Sequence, residues 1–412
     1  MNGKKTNLLP LLASYVVGYL WVKCMTSGFL PDRRWDIPVF TLLFFLWGSW
    51  SLGKKCPASR ESWFWMGCTG LISLCIGFER CLASELLAFL ALHGFAAYWV
   101  VCRAGLLTEA ITGPMLPLDA ITAGILAPFG GFFLRGKTLS ANLRNLLSGV
   151  RQGKWRSWVL SAVIFVIALP VLILTASLLG QADAAFDEVW EKLTGWLTWE
   201  LSVDLTNFLF YLLLSLPVGA YLWGLVGSCL ERGEAWFSGN RIRSQAEKLR
   251  KVPVIAILVV LGGFLALYLL FFGVQAGHLF GAFYGNVPGR LTAAQYAREG
   301  FFQLCAVMSI NFGMLAFAAR CSQVPLRQHG FLKGFSLVLL IQSLLLAITA
   351  AARLWLYITR FGFTPKRLLG AWAVAVLAVG CLLAIADILR PRKVIGKWIL
   401  FAAGTFSLLC LY

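Results

Sequence analysis

Apolar residues fall in long unbroken blocks along this chain, and most charged residues are confined to the short stretches between them. A helix rises 1.5 Å per residue, so about 20 apolar residues carry it across the roughly 30 Å of a bilayer's hydrocarbon. By that measure the pattern predicts about eleven spanning helices, within a range of 10 to 12: Leu8–Met25, Ile37–Leu52, Ser62–Phe78, Cys81–Cys102, Ser157–Leu179, Leu205–Leu230, Val252–Val274, Phe301–Ala319, Gly334–Ala352, Leu368–Leu389 and Gly396–Leu411. One further apolar block, Gly113–Leu134, is broken by Pro114, Pro117, Asp119 and Pro128 and by Gly130 and Gly131. A re-entrant or interfacial hairpin fits it, because irregular backbone at membrane depth is tolerated where protein buries it. A twelfth span is the alternative.

Two stretches change in kind. Residues 181–204 hold Asp183, Asp187, Glu188, Glu191, Glu200 and Asp204 against the single Lys192. Phe186, Trp190, Leu193, Leu197 and Leu201 recur there at helical spacing, which predicts an amphipathic helix on the outer surface. Residues 104–156 combine the proline-broken block with a basic stretch, Thr138–Arg156, suited to lie against anionic lipid on the cytoplasmic side. The fold class is therefore an all-α polytopic transmembrane helix bundle, one integral membrane domain over residues 1–412.

Composition supports this. Hydrophobic residues make up 59% of the 412 and charged residues 13%, with a mean hydropathy of +0.78. Soluble domains carry about 25% charged residues. Soluble enzyme, fibrous protein and disordered scaffold are excluded. Lys+Arg number 36 against 18 Asp+Glu, a net charge of +18. A nucleic-acid partner is not implied, because the cations sit in clusters between apolar blocks, as cytoplasmic loops do. Most fall in alternate loops when the N-terminus is placed in the cytoplasm, which gives an N-in, C-out orientation. The run from Leu8 to Val22 reads as the first span rather than a cleaved signal peptide. The 11 cysteines form no CxxC pair, and His93, His278 and His329 lie on three separate segments. No metal site, no cofactor and no catalytic motif is predicted.

Four stretches carry a family resemblance. They are Ala97-Tyr-Trp-Val-Val-Cys-Arg103 with Leu116-Pro-Leu-Asp119 and Pro128-Phe-Gly-Gly-Phe-Phe133; Leu179-Gly-Gln-Ala-Asp183; Tyr296-Ala-Arg298-Glu299-Gly300-Phe301-Phe302 with Asn311; and Arg353-Leu-Trp-Leu-Tyr357 with Phe361-Gly-Phe-Thr364-Pro-Lys-Arg367. In them the chain resembles a group of bacterial polytopic membrane proteins known as a domain of unknown function, the 4153/4173 type. Ala184, Phe361 and Pro365 depart from the family's pattern. The resemblance implies a bacterial plasma-membrane location and brings no activity.

Polar groups within the spans are few. Asp387 lies three residues before Arg390, a spacing that allows an intrahelical pair. Asn207, Asn311 and Gln342 suit interhelical hydrogen bonds. The sharper constellation is at the predicted outer face: Asp183, Arg298, Glu299, Arg353, Tyr357 and Arg367, with Asn311 deeper in the bilayer. These are the candidate ligand-binding residues. Arg forks suit an anionic ligand; structural ion pairs are the plainer reading. Three functions follow: a transporter or permease for a small anionic or lipid-like ligand; a non-enzymatic signalling or scaffold subunit with a protein partner at the acidic outer loop and anionic lipids at the basic loops; and an intramembrane enzyme on a lipid-linked substrate.

Overall fold

Prolines, glycines and small residues decide where these helices bend and how closely they pack. The computed structural model describes residues 8–53, 56–79, 85–148, 203–280 and 293–411, with six isolated positions between 161 and 189. Residues 181–202 of the acidic segment, Asp183 among them, and the expected span Ser157–Leu179 lie outside the described residues, isolated positions aside. The described helices are α1 (Leu8–Met25), α2 (Asp36–Leu52), α3 (Arg60–Gly77), α4 (Glu85–Arg103), α5 (Leu116–Ile121), α6 (Ala127–Gly130), α7 (Leu134–Ser148), α8 (Val203–Glu231), α9 (Gly239–Glu247), α10 (Val254–Phe280), α11 (Ala293–Cys321), α12 (Gly330–Phe361), α13 (Pro365–Leu389) and α14 (Val394–Leu409). Nine of the described helical stretches are long and apolar enough to cross a membrane. The protein is an all-α polytopic bundle.

The chain divides into two compact units. The first comprises Met1–Ser59, Ala97–Ala104 and Ile121–Glu234. Its centre is the contact of α1 with α8. Ser14 and Gly18 on α1 face Ser215 and Gly219 on α8, a small-xxx-small pair on each helix. A Cβ on Gly18 would lie 2.8 Å from the Gly219 Cα. Without a hydrophobic drive between helices in lipid, such close backbone approach is a main source of association.

In the same unit, Thr122–Leu126 form a π-turn that joins α5 to α6. Pro128 has no N–H, so the Gly124 carbonyl loses its helical donor. Tyr221 on α8 supplies one instead, its hydroxyl donating to Gly124 O at 3.0 Å. Ser228 likewise donates to Ala127 O at 3.0 Å. α8 is pressed onto this kink: a Cβ on Gly131 would lie 2.5 Å from Gly224 O, and one on Gly224 would collide with Pro128 O. The block expected as a hairpin, Gly113–Leu134, is thus helical from Leu116 to Gly130. Leu116–Ala141 counts among the candidate spans by length and composition.

The second unit comprises Arg60–Ala96, Gly105–Ala120 and Ala235–Tyr412. α12 packs against α10, α11 and α13, and α14 packs on α13 and α3. Leu261, Met308, Leu339, Ala350 and Cys381 are fully buried in the shared core. The indole N–H of Trp398 on α14 donates to Val376 O at 2.8 Å, and its ring stacks on Phe312, centroids 5.5 Å apart. At one end of this unit an isolated bridge, Val252 with Ser322, ties the start of α10 to the end of α11. At the other end the short turn Gly362–Thr364 joins α12 to α13.

Candidate functional site

At the Val252–Ser322 end of the second unit lies a half-open pocket of about 950 Å³. One wall is the loop Glu109–Leu118. Another is α9 with Arg250, and the rest comes from the end of α11, Arg327, Asp387 and the start of α14.

The loop is held residue by residue. Ala110 sits in the left-handed region at φ 62, where non-glycine residues carry backbone strain. The strain is offset by anchors on either side. The backbone N–H and hydroxyl of Thr108 both donate to Asp119 Oδ1, at 2.8 and 2.7 Å, and Asp119 is 1% exposed. The Thr112 N–H donates to Glu61 Oε2 at 2.8 Å, and Trp65 donates to the Thr112 hydroxyl at 3.2 Å. The Thr112 carbonyl lies against Gly396, where a Cβ would collide with it. Glycine at 396 therefore lets the first turn of α14 meet the loop.

Seven cations line this pocket: Arg243, Arg250, Arg320, Arg327, Arg392, Lys393 and Lys397. Four carboxylates accompany them: Glu61, Glu109, Glu247 and Asp387. Three of the four are committed. Glu61 holds Thr112. Glu109 accepts from Arg243 Nε and Nη2 at 3.0 and 2.7 Å. Asp387 accepts from Arg327 Nη2 at 2.5 Å and from the Arg392 N–H at 3.0 Å. The expected partner of Asp387, Arg390, is thus replaced by an arginine from between α11 and α12. Among the described residues, Arg250, Arg320, Arg392, Lys393 and Lys397 have no ion-pair partner. Two of them, Lys393 and Lys397, flank the start of α14, whose first amides lack intrahelical acceptors and carry the positive end of the helix dipole. Cations and amides together favour an anion here.

The residues singled out in the sequence lie elsewhere. Asn311 is 1% exposed and fully engaged: Tyr268 donates to its Oδ1 at 2.6 Å, and its Nδ2 donates to Ser343 at 2.7 Å. This network bonds α10, α11 and α12. Tyr357 and Arg367 do come together, the guanidinium 4.0 Å over the ring. Arg367 Nη1 also donates to Phe361 O at 2.8 Å and to Gly362 O, closing the end of α12. Arg353 is buried one turn before Tyr357. Arg298 and Glu299 are on α11, and their side chains, like Asp183, lie outside the described residues.

Sequence reading missed the pocket, whose walls lie far apart along the chain. It also missed Arg135 on α7, 4% exposed, its guanidinium 3.5 Å over the Tyr15 ring in the first unit. The small-xxx-small pairs at 14–18 and 215–219 were visible signals for the contact that surrounds it.

A family model described as "Domain of unknown function (DUF4153)" matches residues 66–412, a span that includes every lining residue of the pocket except Glu61. No curated protein matches the chain, and no solved structure does.

Proposed function

The chain belongs to the DUF4153 family, whose description assigns no activity, and from the geometry of its pocket we propose that it is a permease-like membrane protein for a small anionic ligand. The observation that carries this is the surplus of cations around one pocket at the end of a helical bundle. Five of them have no ion-pair partner among the described residues, and two of these, Lys393 and Lys397, flank a helix start. Phosphate and carboxylate groups share the chemistry that such a site selects, whether on a free solute or on a lipid-like molecule. The loop charges assign this end to the cytoplasm, so the ligand is held from the cytoplasmic side of a bacterial plasma membrane.

The engaged Asn311 network favours a second reading. An amide committed to holding three helices together also suits a non-transporting signalling or scaffold subunit whose pocket senses an anion. One experiment separates the two. Full-length protein in proteoliposomes preloaded with inorganic phosphate is exposed to radiolabelled phosphate. Saturable counterflow supports the permease. Binding without counterflow supports the sensor. Neither binding nor counterflow, with phosphate or with an anionic lipid headgroup analogue, overturns both.

A further inference from the structure

We infer that the groove between α12 and α13 holds one acyl chain of an anionic phospholipid, whose headgroup is gripped at the Gly362 turn by Lys366 and Arg367. This site is separate from the basic pocket and lies toward the other end of the same helices.

The groove has a volume of about 340 Å³ and is lined by Ala347, Ala351, Leu354 and Ile358 on α12 and by Ala371 and Ala375 on α13. Alanines on both helices leave room between them that larger side chains would fill. Trp355, at its border, is 66% exposed, as a side chain facing lipid is. Between Ala347 and Ile358 the helix advances about 16 Å. That is one leaflet of a hydrocarbon core about 30 Å thick. The groove therefore has the length of a single lipid chain.

Charge at one end of the groove names the headgroup. Ile358 and Ala371 are each within about one turn of the pair formed by Tyr357 and Arg367. Lys366 and Arg367 stand at this turn, and the segment 353–367 contains no carboxylate. Arg367 uses Nη1 on the carbonyls that end α12 and its face on Tyr357. Among the described residues its Nε and Nη2 make no hydrogen bond, which leaves donors for a phosphate oxygen. The loop-charge bias asks for few cations at this end. A bound anionic headgroup supplies the reason for their presence.

The test uses full-length protein in nanodiscs of equal phosphatidylglycerol and phosphatidylcholine, extracted into mild detergent, with retained lipids counted by native mass spectrometry. Wild type is expected to retain phosphatidylglycerol in excess. K366Q should lower that excess about fivefold. A375L, which fills the groove, should lose the retained lipid while thermal stability is kept. Arg367 is left intact because it closes α12. Equal retention of the two lipids by wild type overturns the assignment. So does a preference that survives K366Q, since it then belongs to basic loops elsewhere.

Discussion

A single missing hydrogen explains the kink beside α8. Pro128 withdraws the donor from Gly124 O, and Tyr221 replaces it at 3.0 Å. Y221F leaves that carbonyl without its hydroxyl donor, and the expected loss is about 1 kcal/mol of stability, read as a lowered unfolding temperature in detergent. Asn311 gives a sharper contrast. Its two hydrogen bonds join three helices, so N311A should destabilise by about 1–3 kcal/mol and leave anion binding at the basic pocket unchanged. A variant that folds as well as wild type but loses ligand would return Asn311 to a ligand path. The sequence could single out Asn311, because an amide within an apolar block is conspicuous. It could not tell a satisfied amide from a ligand-binding one, because that depends on Tyr268 and Ser343, 43 and 32 residues away. Arg135 was unreadable for a similar reason: beside basic loops it looks like one more cytoplasmic cation, and only the Tyr15 ring above it shows otherwise.

Helices were the most legible level. The expected Leu8–Met25 coincides with α1 from end to end, and Ile37–Leu52 differs from α2 by one residue. Hydrophobic blocks bounded by charge fix a spanning helix almost without regard to its neighbours. The block around Pro117 and Pro128 was less legible, because prolines usually break helices. Here Pro117 falls in the first turn of α5, where no donor is needed, and the π-turn with its donors from α8 absorbs Pro128. Packing makes the next prediction. G224A places a methyl against Pro128 O, so the α6–α8 contact must separate, with an expected loss above about 2 kcal/mol. Gly263 on α10 has open space around it. G263A should be neutral or stabilising, by up to about 1 kcal/mol of helix propensity. Equilibrium unfolding of both variants checks the pair, and equal effects would mean that the α6–α8 approach is looser than described.

At the scale of the whole molecule, charge carries the account. The sequence showed the surplus of basic residues and its distribution between spans, and it located the family resemblance. It did not show that residues near 61, 109–118, 243–250, 320–327 and 387–400 converge, because no spacing along the chain encodes that closure. The pocket's own carboxylates tune it. Glu109 occupies Arg243, so E109Q removes a negative charge and releases a cation, and anion affinity should rise about fivefold or more. The most direct measurement is calorimetric titration of inorganic pyrophosphate into full-length protein held in neutral-lipid nanodiscs, at two salt concentrations. Saturable binding that weakens with salt, falls at least about tenfold in R320Q/K397Q and is unchanged in A375L is the predicted result. Binding of equal strength in R320Q/K397Q, or none in wild type, would contradict the assignment of the basic pocket as an anion site.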